Sequence, residues 1–165
     1  MTEYPADLSD CDVVSVQVTG PHRVRVTHRD GTSAVHVFQP GAFGVHDFVS
    51  LDDPVVFANA TVIDGCLAWD LGGGLVYDVA PDGLWAHAMA WCPDESHDLA
   101  AEVEDARVEL AAPHMSELLP RMRELEAAGW RLNSMTKPTA EGHGQLVTAV
   151  FTRDGVSDIE RRPTP

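Results

Sequence analysis

Residues 57–85, FANATVIDGCLAWDLGGGLVYDVAPDGLW, constrain the fold of this chain more than any other stretch. They consist of short apolar alternations broken by Asp-Gly and by a run of glycines. A period of two marks half-buried strands, and Asp-Gly accepts the positive φ that a tight hairpin requires. The segment therefore reads as antiparallel strands: 60–63, a turn at Asp64-Gly65, and a strand on which Leu67 and Trp69 share one face and Cys66 and Ala68 the other. Gly72-Gly73-Gly74 forms a flexible hairpin loop, because the Lys and Ser/Thr of a phosphate-cradling loop do not follow it. Leu75, Tyr77 and Val79 make a last alternation, and Ala80-Pro81 begins a short helical turn leading to His87 and Met89.

The same grammar extends towards the N-terminus. Val14, Val16 and Val18 fall on one face, Gly20-Pro21 is a turn, and Val24 and Val26, with His28 at the next alternate position, continue the alternation while Arg23, Arg25 and Thr27 take the wetter face. Asp30-Gly31 predicts a primed hairpin turn into a strand at 33–38, with Val35 and Val37 pointing one way. The expected inward set is Val14, Val16, Val24, Val26, Val35, Val37, Leu67 and Trp69. Asp53-Pro54 starts a helical turn anchored by Phe57, and Asp52-Asp53 reads as a turn and cap.

Residues 91–105 are polar and acidic and read as a connector, with Leu99 and Val103 able to share one face of a short helix. A strand at 106–110 follows. Leu118, Met122 and Leu125 lie on one helical face, and Pro120 favours a helix start near Leu119. The helix ends at Ala128 with Gly129 as its left-handed cap. Trp130 and Leu132 begin another strand, and 145–152 is a strand with Leu146, Thr148, Val150 and Thr152 on one face and Val147, Ala149 and Phe151 on the other. The fold class is α+β: an antiparallel β meander with short helices (13–90), the connector (91–105), and a second small strand-helix-hairpin module (106–156).

Residues 13–85, about half the chain, resemble domain of unknown function 2442, a bacterial family of small α+β domains. The resemblance rests on Asp30-Gly31 before an alternating strand, Leu51-Asp52-Asp53-Pro54 followed by Phe57, Gly65 to Trp69 at the next hairpin, and Asp78-Val79-Ala80-Pro81-Asp82 before Leu84-Trp85. The chain departs from the family at its glycine run and at Trp85, where tyrosine is more familiar. The second half is similar to small domains in which a helix ends in Glu-x-x-Gly-Trp-x-Leu before a hairpin and a terminal Arg, here Glu126 to Leu132 and then Arg153. What the first resemblance implies is an accessory or antitoxin-like partner protein, with no enzyme mechanism to carry over.

The formal net charge is −15, from 26 acidic against 11 basic side chains. Phosphate contacts need a basic patch, so nucleic acid and anionic membrane surfaces are disfavoured as partners. A protein or peptide, basic in character, suits the sign, and self-association into a homodimer is a second use of the same surfaces. Cys11, Cys66 and Cys92 are too few for a disulfide scaffold; no secretory signal or apolar span stands out, and the expected setting is cytoplasmic.

Chemistry-bearing residues are sparse. His87, Cys92 and His97, with Asp98 alongside, are donors that zinc accepts, but their spacing matches no strong signature. Ser96-His97-Asp98 has the residue types of a triad, yet sequence neighbours cannot face one another as one. His28 and His36 flank Asp30-Gly31 and are expected to face each other across the hairpin as a wet pair. Trp85, Trp91 and Trp130 are the candidate partner anchors, with Asp52 and Asp53 as acidic contacts. Exposed strand edges in the meander would offer pairing to a peptide. The leading expectation is a non-catalytic protein- or peptide-binding accessory protein with no cofactor. The alternative is a metal-dependent enzyme component using His87, Cys92 and His97.

Overall fold

A computed structural model describes residues 7–39, 41, 43, 48–89, 101–136 and 146–154. After a 3-10 turn at Leu8–Cys11 come β1 (Val13–Gly20), β2 (Arg23–His28) and β3 (Thr32–Phe38). A second 3-10 turn (Val49–Asp52) and α1 (Pro54–Phe57) lead to β4 (Thr61–Ile63), β5 (Cys66–Asp70), β6 (Val76–Val79) and α2 (Pro81–Ala88). The rest comprises β7 (Ala101–Ala112), α3 (Met115–Ala127), β8 (Arg131–Thr136) and β9 (Val147–Asp154). The fold is α+β, an antiparallel meander with short helices followed by a smaller strand-helix-hairpin module. Six strands form one sheet in the order β1-β2-β3-β7-β9-β8, and β4-β5-β6 form a second.

The strand of the second module starts at Ala101, inside the stretch expected as a connector, and pairs antiparallel with β3 from Phe38↔Ala101 to Thr32↔Val108. Its acidity has a structural use. Arg25 pairs with Asp105 at 2.6 Å and Arg23 with Glu104, so the acidic residues answer the arginines of β2 across the solvated face. Exposed pairs of this kind contribute at most about 1 kcal/mol each, so they set strand preference more than stability. Residues 91–100 lie outside the described residues.

Two strands depart from the expected inward pattern. A register shift between Val13 and Ser15 makes Val14 a bulge: Val13 is buried opposite His28, Val14 is exposed, and Val16 and Val18 pair with Val26 and Val24. In β3 the phase is inverted. Val35 and Val37 lie opposite Arg25 and Arg23, so the inner face carries Ala34, His36 and Phe38. A slip of one residue moves a whole strand's side chains to the other face. Here the pairing with Val24 and Val26 puts His36 and Ala34 inside.

The turns explain part of this. Asp64 and Gly65 both have positive φ, as a two-residue primed hairpin requires. Around Asp30-Gly31 only Gly31 does (φ +88), with its N–H bonded to the His28 carbonyl, which is the three-residue loop rather than the expected primed turn. A Cβ on Gly31 would lie 2.3 Å from the Glu109 carbonyl oxygen, and the Gly31 carbonyl accepts from Glu109 N–H at 3.2 Å. The turn thus lies flat against β7, and only glycine fits there.

Two apolar clusters fill the inner side. One gathers Phe38, Phe43, Leu51, Phe57, Leu67 and Trp69 between the two sheets. The other seats Leu118, Met122 and Leu125 of α3 on Val108, Ala149 and Phe151, as the sequence led us to expect. α2 belongs to both, giving Leu84 to the first and Trp85, Ala88 and Met89 to the second. α3 begins at Met115, earlier than expected, and takes Pro120 into its interior. Pro120 and Ser116 are both exposed, so the Ser116 carbonyl that Pro120 leaves without a helical donor faces water. Burial of Leu118 outweighs the break.

At the other end of α3, Trp130 N–H bonds the Leu125 carbonyl at 2.9 Å and Gly129 N–H the Glu126 carbonyl at 3.0 Å. This is a Schellman cap, with Gly129 at φ +88 and the Trp130 ring buried in the same cluster as Leu125. A Cβ on Gly129 would meet nothing within 4 Å. Gly129→Ala should therefore cost only the conformational strain, about 1–2 kcal/mol, read from the shift of the urea midpoint.

Candidate functional site

Among the described residues, those singled out in the sequence do not assemble into one site. Asp53 caps α1, accepting from Val55 N–H at 2.8 Å, and Asp52 accepts from Gly41 N–H at 3.2 Å. Both carboxylates serve local turns. Trp85 and Trp130 are each 2% exposed, so neither ring is presented to a partner. Trp85 sits on the buried side of α2 and Trp130 folds under the C-terminal cap of α3, and both rings join the same apolar cluster. Trp85 Nε1 donates to Asp30 at 2.8 Å, and the Arg153 guanidinium lies 6.0 Å from the centre of the Trp130 ring. His87 is buried on α2. Trp91, Cys92 and His97 lie outside the described residues. Among the described residues no group of three His, Cys, Asp or Glu side chains could hold a metal ion, and no helix is long and apolar enough to cross a membrane.

What the sequence reading missed is a polar interior. His28, His36 and His87 are 1%, 0% and 6% exposed, on β2, β3 and α2. His28 and His36 are not cross-strand partners, since His36 lies opposite Val24, but both are buried and a charge on His28 repels one on His36. His28 Nδ1 lies 2.5 Å from the Cys11 carbonyl; a carbonyl only accepts, so Nδ1 carries the proton and Nε2 is a bare, unpartnered acceptor. Both ring nitrogens of His36 are also unpartnered. Burial holds the His36 imidazole neutral, down to about 3, with His28 and His87 adding repulsion. Burial also lowers His28, against the opposing pull of the Cys11 carbonyl and Asp30. Burial, helped by Asp30, Asp82, Asp10 and Asp12, pushes the neighbouring Cys11 thiol up to about 11. A thiol so protonated is no nucleophile at neutral pH.

Among the described residues, β8 is the most exposed sheet edge. β8 pairs with β9 on one side, and among the described residues no strand pairs with its other side. All six of its residues are exposed. Leu132 and Met135, opposite Phe151 and Ala149, carry apolar side chains at 41% and 40% exposure on the α3 side of the sheet. The opposite edge, β1, is less open: Val13 N–H already bonds the Gly65 carbonyl at 2.7 Å, and the Val14 bulge twists it. Of the edges expected in the meander, β1 is therefore a poorer one than β8. The signal for β8 was present in RLNSMT, a strand that alternates weakly and offers no continuous face to a core.

No family model matches the chain, no curated protein matches it, and no solved structure matches it. The resemblance to domain of unknown function 2442 rests on its motifs alone.

Proposed function

We propose that this chain is a non-catalytic binding protein that takes an extended segment of a partner protein along β8. The observation that supports the reading is the exposure of all six β8 residues on a one-sided edge bearing Leu132 and Met135. An open edge supplies a row of backbone donors and acceptors, and alternate side-chain positions supply selectivity. The formal net charge of −15 favours a segment rich in Lys or Arg with an apolar residue at alternate positions. An accessory role of this kind agrees with what the motif resemblance implies.

Selection from a displayed library of random peptides tests it. We expect enrichment of basic, alternately apolar sequences. Binding should fall by about 10-fold or more (about 1.4 kcal/mol) in the double variant Leu132→Lys, Met135→Lys. Both positions are well exposed, so the melting temperature should stay close to that of the parent. No enrichment, or enrichment indifferent to the double variant, would contradict the reading. A concentration-dependent dimer dissolved by the same variant would assign the edge to a second copy instead.

A further inference from the structure

We propose that the histidines buried beneath α2 make its seating on the sheet proton-sensitive, so that mild acid releases the helix. His28, His36 and His87 come from three different elements and meet where α2 covers β2 and β3. His28 Nε2 and both His36 nitrogens have no hydrogen-bond partner. A proton added to His28 Nε2, or to whichever His36 nitrogen is bare in the neutral ring, creates a buried N–H donor on a cation with nothing to accept it, and such a charge is costly to keep out of water. Groups facing the cluster from the surrounding elements are Asp30 in the β2–β3 turn, held by Thr32 and Trp85, the Cys11 thiol and carbonyl in the first 3-10 turn, and Asp82 at the start of α2. None of these carboxylates is hydrogen-bonded to a histidine nitrogen identified as unpartnered.

The element best placed to yield is α2. Its N-cap, Ala80, has no side chain to bond the first turn. The helix joins two apolar clusters, so its release loosens both without unpairing β7 and β9. Folded-state protonation of His28 and His36 occurs below the ordinary value of 6.5, so an opened state takes up protons first. Stability of the seated helix is therefore full above pH 6.5 and is lost as the pH falls below it. For His36 alone, going from 6.5 to about 3 raises the opening equilibrium about 25-fold between roughly pH 7 and pH 5.

Amide hydrogen exchange on the whole chain, corrected for intrinsic rates, reads this directly. Between pH 7 and pH 5 the opening constant of α2 amides should rise about 25-fold or more, while β9 amides stay the more protected at both pH values. In His36→Leu the increase should shrink by about 25-fold. An α2 opening constant that does not change with pH, or one shared with β9, overturns the proposal, and so does a full pH dependence surviving in His36→Leu. Should that variant fail to fold, the two wild-type measurements decide the matter alone.

Discussion

Gly31→Ala should lose about 2–5 kcal/mol of stability, more than a glycine substitution in a turn usually costs. Two penalties combine. A side chain at φ +88 costs about 1–2 kcal/mol, as it would at Gly129, which has the same φ. At Gly31 the new Cβ would also sit 2.3 Å from the Glu109 carbonyl oxygen, a backbone atom that cannot swing aside. Relieving that overlap means moving the turn away from β7, at a cost of about 1–3 kcal/mol. Gly129→Ala is the internal control, since its Cβ meets nothing within 4 Å. Urea unfolding of both variants isolates the contact between the two halves. Equal losses would mean that the β2–β3 turn does not lie against β7.

The second large effect is at Trp85. Trp85→Ala should lose about 3–5 kcal/mol, the usual cost of emptying a buried tryptophan site. Trp85→Phe keeps most of the apolar area but removes the 2.8 Å bond to Asp30. It should lose about 1.5–3 kcal/mol, the range for a hydrogen bond to a charged group. Asp30 also accepts from Thr32 N and Oγ1, so its carboxylate stays partly satisfied. If Trp85 were instead a partner anchor, the alanine variant would keep its melting temperature and lose peptide binding. With the ring 2% exposed, we expect the opposite outcome.

Much of the fold was legible where local chemistry decides it. Asp64-Gly65, Asp53-Pro54 and Gly129-Trp130 each carry their geometry in the residue types, and each forms the turn or cap expected. Strand phase was harder. In β3 the sequence alternates Ala34, His36, Phe38 against Ser33, Val35, Val37, and hydrophobicity alone favours the valines. Cross-strand pairing chose otherwise, because Val24 and Val26 face inward and their partners are His36 and Ala34. The acidic run ending at Asp105 looked like a linker because its arginine partners sit about 80 residues away. Pro120 argued for a later helix start, and burial of Leu118 prevailed. Of the candidate site, Trp85 and Trp130 were visible in the sequence but lie inside the core. The weak alternation of RLNSMT hinted at an exposed strand, but its place at the sheet edge is a property of the assembled sheet.

The most direct test of the binding role is a backbone amide map of the chain with and without a basic peptide selected by it. If β8 receives the peptide as an added strand, alternate amides of Arg131–Thr136 should gain protection and shift, leaving β1 and β4 unaffected. Peptide bound without any change along β8, or with protection confined to another edge, would contradict the account.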